Sequence, residues 1–183
     1  GAVSVFFERS RDYSVEEIAG FVRRALDGIG LEFEGRKTAL VKPNLVIAAK
    51  PRTAVVTHPA VTEAVISVLR ERGIDRITIA DGPGVGLDVA EVRLGVELVS
   101  FNDAERRERE WKYGTLGVPA ALEDADLYVN IPKLKTHGYT KVTLSVKNHK
   151  GMLSEPDKKR DHQLGLHDPL AQHAGIAPPH LII

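Results

Sequence analysis

Two stretches of the chain place apolar residues at helical spacing. Val15, Ile18, Ala19, Val22 and Leu26 make one stripe, and Val61, Ala64, Val65, Val68 and Leu69 make another at i, i+3, i+4, i+7 and i+8. Ser14 with Glu17 three residues on has capping-box spacing, so the first helix is expected to start there and stop at Gly28. Pro59 opens the second helix and Gly73 closes it. Between them fall short apolar runs of strand length: VSVFF (3–7), TALVKPN (38–44), RITIADGPG (76–84, running into a turn), ELVSF (97–101) and DLYVNIPK (126–133). A short helix is expected at 87–94, and ERRERE (105–110) reads as a solvated charged face.

Strands alternating with helices at short connections predict an α/β fold, a mostly parallel sheet with helices on both faces. A chain of 183 residues forms one domain, 1–183, and buries a core without metals or disulfides. KVTLSVK (141–147) is open between two elements: polar/apolar alternation favours a strand, while Thr140 as N-cap and Gly151 as stop favour a helix. Leu45 to His58 is a long irregular loop, and SEPDKKRD (154–161) reads as a mobile lid within the tail 152–183. That tail ends on PPHLII, the start of a further strand, so the native protein is expected to continue past Ile183.

Charge then changes the picture locally. Lys and Arg number 25 and so do Asp and Glu, which argues against nucleic acid or an anionic membrane as a broadly attracted partner. No cysteine is present, so no Cys-ligated iron–sulfur cluster, disulfide or thiolate nucleophile is available within this chain. No apolar run approaches a membrane span and no signal peptide is visible; a cytoplasmic location is expected. Yet NIPKLKTHGYTKVTLSVKNHKG (130–151) holds five lysines, and no carboxylate lies between Asp126 and Glu155.

That cluster begins at one of three similar strand ends: Lys42-Pro43-Asn44, Asp81-Gly82-Pro83 and Asn130-Ile131-Pro132-Lys133. Ligands of open parallel sheets bind beyond the carboxyl ends of strands. Lys133, Lys135 and Lys147 are therefore assigned to an anion, with Lys42, Asn44 and Asn148 beside them, and Lys141 and Lys150 to water. The turn DGPGVG (81–86) offers Gly82 and Gly84 as a backbone cradle, although it matches neither the dinucleotide fingerprint nor a P-loop. Asp81 would orient a lysine or histidine, or ligate a divalent metal. His137 and His162, with Lys147, are the candidates for moving a proton. Asp161-His162 and His167-Asp168 have residue types suited to zinc or iron.

VKPNLV (41–46), THPAVTEAVISVLRERG (57–73), ADGPG (80–84), the long stretch 125–151 and KKRDHQLGLH (158–167) together resemble the DUF362 family of bacterial and archaeal proteins. The resemblance implies Lys42, Asn44, Asp81, Lys133, Lys135, His137, Lys147, Asn148 and His162 as site residues, without roles. Many members are iron–sulfur proteins with four-cysteine motifs, a pattern from which this chain departs.

Two functions follow. One is an enzyme, or part of one, holding a small anion that bears phosphate or carboxylate at the strand ends. The other is a non-catalytic redox or assembly module that docks an acidic partner such as a ferredoxin through its lysines. Lysines converging in a hollow favour the first; lysines spread over a flat face favour the second.

Overall fold

Alternation along each apolar run divides its side chains between two cores, one on either side of a single sheet. The computed structural model describes residues 4–45, 53–82 and 96–183. Its first half runs α1 (Val15–Ile29), β1 (Thr38–Pro43), α2 (Pro59–Glu71), β2 (Arg76–Asp81), β3 (Glu97–Ser100), β4 (Arg106–Trp111) and β5 (Gly114–Pro119). Its second half runs α3 (Ala120–Asp124), β6 (Leu127–Ile131), β7 (Lys135–His137), β8 (Lys141–Thr143), α4 (Ser145–Asn148), α5 (Glu155–Leu164), α6 (His167–Ile176) and β9 (Leu181–Ile182).

Five strands form a wholly parallel sheet in the order β3-β2-β1-β6-β9. Ala39, Val41, Ile77, Ile79, Leu127 and Val129 pack on one side against α1 and α2. Leu40, Ala80 and Tyr128 face the other side, where Phe101, Leu116, Val118, Leu122, Met152 and Leu153 cover them. Each larger apolar side chain so withdrawn from water contributes roughly 1.5–3 kcal/mol. From β1 the chain moves one way to β2 and β3, then returns to lay β6 and β9 on the opposite side of β1. The strand order therefore reverses between β1 and β6, and the crevice beyond their carboxyl ends is where such sheets bind ligands. Among the described residues no helix is long and apolar enough to cross a membrane.

Several local expectations change. Residues 4–7 form no strand; Val5 and Phe7 are exposed, and Phe6 lies over Gly28. An apolar run becomes a strand only where a neighbour takes up its backbone groups, and this one rests on a helix instead. Gly28 accordingly sits inside α1, and the cap is Gly30 in the left-handed region at φ 66°. Ser14 Oγ accepts the Glu17 N–H at 3.4 Å, while Asp12 rather than Glu17 accepts the Ser14 N–H, at 2.9 Å. Most of ERRERE is strand β4, paired antiparallel with β5, with Arg107 and Arg109 held by Glu123 and Asp124 and Arg106 turned to the carbonyls of Phe101, Gly117 and Met152. SEPDKKRD is no loop but the start of α5, capped by Ser154, whose Oγ accepts the Asp157 N–H at 3.3 Å. KVTLSVK takes both of its readings in succession, as β8 and then α4, with the break at Leu144. The short helix expected at 87–94 lies outside the described residues.

Candidate functional site

The floor of the crevice is an ion pair. Strand alternation turns Lys42 to the same face as Leu40, and its side chain is 0% exposed. Its Nζ lies 2.6 Å from Oδ1 of Asp81, at the end of the neighbouring strand β2. Asp81 also accepts the Gly82 N–H at 2.9 Å and the Leu45 N–H at 2.7 Å. These extra donors are what a carboxylate needs to remain charged away from water. Complete burial pulls the Lys42 ammonium below its ordinary range, against the opposing attraction of Asp81.

Two asparagines then fasten α4 over the ends of β1 and β6. Asn148 Nδ2 donates to Asn130 Oδ1 at 2.7 Å and reaches the carbonyls of Lys42 and Pro43 at 3.3 and 3.4 Å. Asn130 Nδ2 donates in turn to the Ser145 carbonyl at 3.1 Å. The chain next passes so close to the floor that only glycine fits. A Cβ on Gly151 would lie 2.2 Å from Asp81 Oδ1 and 2.8 Å from Lys42 Nζ, and one on Gly82 would lie 2.1 Å from the Gly151 carbonyl oxygen.

One wall is the β7–β8 ribbon. Its register pairs Lys135 with Thr143 and His137 with Lys141, so these share a face, and Thr136 with Val142 takes the other. Lys135, His137 and Thr143 turn inward. Leu134, Val142 and Leu144 turn outward and are 66%, 51% and 46% exposed. Lys135 Nζ donates to the Val55 carbonyl at 2.6 Å. His137 Nδ1 accepts the Tyr139 and Thr140 N–H groups, both at 3.2 Å, which assigns the hydrogen of its neutral ring to Nε2.

The opposite wall is α5. Glu155, Lys158, Lys159 and His162 stand at i, i+3, i+4 and i+7 and form one stripe facing the ribbon. Asp161 points the other way and is fully buried against His173, 3.0–3.1 Å from its Nε2. That contact ties α5 to α6. Tyr139 bridges the walls at the rim, its ring centroid 6.2 Å from that of His137 and 6.1 Å from that of His162.

These elements enclose a cavity of about 480 Å³. Five lysines line it: Lys135, Lys147, Lys150, Lys158 and Lys159. Lys158 is paired with Glu155 at 2.7 Å. Among the described residues, none of the other four has a carboxylate at ion-pair distance. Burial holds the ammonium groups of Lys135 and Lys147 below their ordinary range, and for Lys135 the neighbouring Lys147 adds to the effect. Burial brings Lys150 down to about 8, with Lys147 and Lys158 pushing the same way against Asp161 and Glu155. His137 and His162 are lowered by burial first and by neighbouring lysines next. Both imidazoles are therefore neutral at pH 7. His149, buried beneath the floor, falls to about 4 through burial and the charge of Lys42.

A second hollow of about 580 Å³ lies between α1, residues 4–6 and β9. It is larger, but Phe6, Phe21, Leu26, Leu181 and their neighbours make it apolar, and His180 is its one titratable group. Titratable side chains gather instead in the lysine cavity.

Of the residues singled out from sequence, Asn44, Asp81, Gly82, Lys135, His137, Lys147, Asn148 and His162 line this cavity. Lys42 lies beneath it as the partner of Asp81. Lys133 does not enter: it turns away to donate to the Tyr13 hydroxyl at 3.0 Å, beside the stacked rings of Tyr13 and His58. Lys150, assigned to water, is a wall residue, whereas Lys141 is exposed as expected. Gly84 lies outside the described residues. Lys158, Lys159, Glu155 and Thr143 were not anticipated, although the helical spacing of the α5 stripe is visible in the sequence. Among the described residues no three His, Asp or Glu side chains are grouped to hold a metal, because Asp161 and His162 diverge across α5.

Comparison with known proteins fits this architecture. A family model described as a domain of unknown function, DUF362, matches residues 39–183. A thylakoid-associated protein of Synechocystis sp. is 28% identical over 158 residues, covering 79% of this chain and 49% of that protein. A crystal structure of a Thermotoga maritima protein shares the fold, with a TM-score of 0.57 at 17% identity, over 84% of this chain and 41% of that one. The chain spans about half the length of the curated relative. The match runs from β1 through β9 and includes every described element of the cavity, and the chain belongs to the DUF362 family.

Proposed function

We propose that this chain is an enzyme, or the part of one, that binds a small anion carrying phosphate or carboxylate at the carboxyl ends of β1, β2 and β6. The observation that carries the reading is the convergence of four lysines, without carboxylate partners among the described residues, on one concave cavity at the strand-order reversal. Partly buried cations without counter-charges repel one another, and an anion removes that cost. Asn44, Asn148 and Thr143 lie beside them to orient the ligand through hydrogen bonds.

The two histidines divide the proton work. His137, with Nδ1 committed to backbone donors, offers Nε2–H as a donor to developing negative charge. His162 has no hydrogen bond among the described residues and is neutral at pH 7, which suits a general base. Titration calorimetry against phosphorylated metabolites, nucleotides and small carboxylates tests the reading. Micromolar to millimolar binding of some member is expected, with at least a tenfold loss in Lys135→Ala/Lys147→Ala. No binding across the panel, or binding untouched by the double substitution, overturns it.

A second reading rests on the outer face of the ribbon. Leu134, Val142 and Leu144 form an exposed apolar face, and the exposed Lys141 precedes Val142 in the chain, which suits docking of an acidic protein such as a ferredoxin. The thylakoid association named for the cyanobacterial relative is compatible with a surface of this kind. Val142→Glu would abolish such docking and leave anion binding intact; loss of anion binding with docking retained refutes this second reading.

A further inference from the structure

We infer that the ligand is an oligophosphate, bearing two or more linked phosphoryl groups, rather than a monoanion or a polycarboxylate. The inference rests on the anion-binding reading above and narrows it.

Charge matching comes first. Among the described residues the cavity lining holds two carboxylates, and each is already answered inside the fold: Asp81 by Lys42 at 2.6 Å and Glu155 by Lys158 at 2.7 Å. Lys135, Lys147, Lys150 and Lys159 remain. A single phosphate carries at most two charges near neutrality and would leave half of that set mutually repelling in a partly desolvated hollow. A chain of linked phosphates brings three or four negative charges in one molecule.

The chemistry of the cations comes second. The flat two-pronged fork of arginine imposes a plane on the carboxylate or phosphate it meets, whereas lysine is a compact point charge that engages oxygens from any direction, as a tetrahedral phosphoryl group presents them. Among the described residues, every basic side chain of the lining other than histidine is lysine, and none is arginine. The cations also stand on separate elements: Lys135 on the ribbon, Lys147 on α4, Lys150 just after it and Lys159 on α5. An arrangement around the hollow suits a ligand that presents oxygens on several sides. At about 480 Å³ the cavity falls within the roughly 300–1,000 Å³ typical of small-ligand sites, ample for such a chain with or without a nucleoside.

Titration calorimetry at fixed ionic strength with orthophosphate, pyrophosphate, tripolyphosphate, adenosine diphosphate and citrate tests this. Affinity is expected to rise at least tenfold from orthophosphate to pyrophosphate, with a further rise for tripolyphosphate. Citrate is expected to bind at least tenfold more weakly than tripolyphosphate. Lys147→Ala/Lys159→Ala should lower tripolyphosphate affinity more than orthophosphate affinity, while Lys133→Ala/Lys141→Ala on the surface should leave both unchanged. Adenosine diphosphate distinguishes the carrier: binding tighter than pyrophosphate supports a nucleotide, and binding weaker supports an inorganic chain. Equal affinity for orthophosphate and tripolyphosphate overturns the inference and leaves the anion reading standing, as does citrate binding as tightly as tripolyphosphate. An equal loss from the surface variants reduces the effect to nonspecific charge and also overturns the inference. Absence of any binding removes both readings.

Discussion

Lys42 and the four wall lysines are the same residue type within one site, yet their charges are balanced in opposite ways. Lys42 is 0% exposed and has Asp81 at 2.6 Å, itself held by two backbone donors. Lys135, Lys147 and Lys150 are partly shielded from water and Lys159 is exposed at the mouth, and none of the four has a carboxylate among the described residues at ion-pair distance. The fold neutralises its deepest cation internally and leaves four shallower ones unmatched among the described residues, and the proposed function gives these a counter-charge from outside. On the proposed reading the floor serves stability and the walls serve binding.

The sharpest way to break this contrast is at the floor. Asp81→Ala leaves an uncompensated buried ammonium and should destabilise by about 3–5 kcal/mol, read by chemical denaturation. A smaller loss would mean that Lys42 is not charged there, and the comparison would fail. Gly151→Ala probes the same place by sterics: its new methyl group meets Asp81 and Lys42, so stability and anion binding should fall together.

His149 extends the test to pH. Its folded value near 4 lies below the ordinary 6.5, so the neutral ring favours the native state. That contribution is complete above about 6.5 and is lost as pH falls from 6.5 towards 4, at most roughly 3 kcal/mol for a shift of this size. Denaturation at pH 7 and pH 4.5 should show the loss in the parent chain and a smaller one in His149→Phe.

The walls should respond the other way. Lys147→Met removes an unmatched cation, so stability should stay within about 0.5 kcal/mol of the parent, on the stabilised side, while anion affinity drops at least tenfold. Lys150 gives the pH signature: an ammonium titrating near 8 binds anions below that value, so affinity should decline as pH rises through 8 and beyond. The smallest effect belongs to Lys133→Ala, which touches Tyr13 and not the cavity and should leave affinity unchanged.

The period of the apolar residues was enough to place α1, α2, β1, β2 and β6, because each must bury one side or both and side-chain direction repeats along a regular backbone. The three polar strand ends and the absence of acids across 127–154 likewise pointed to the rim of the sheet where the lysine cavity lies. The α5 stripe was also legible as residues 155, 158, 159 and 162, once the segment is taken as helix; its run of charges suggested a loop because few apolar positions announce a core-facing side. VSVFF misled for the converse reason, since apolar character does not say whether a neighbouring strand exists.

Local pattern therefore specified the elements, the fold class and the charge reserve, all properties of residues near one another in the chain. Which lysine meets which partner was a matter of distant contacts. Asp81 reaches Lys42 across 39 positions, Asn148 reaches Asn130 across 18, and Tyr13 draws Lys133 away across 120. No spacing rule encodes such meetings. They arise when packed layers fix where each strand ends, and it is this that leaves four ammonium groups around one hollow without a carboxylate partner among the described residues.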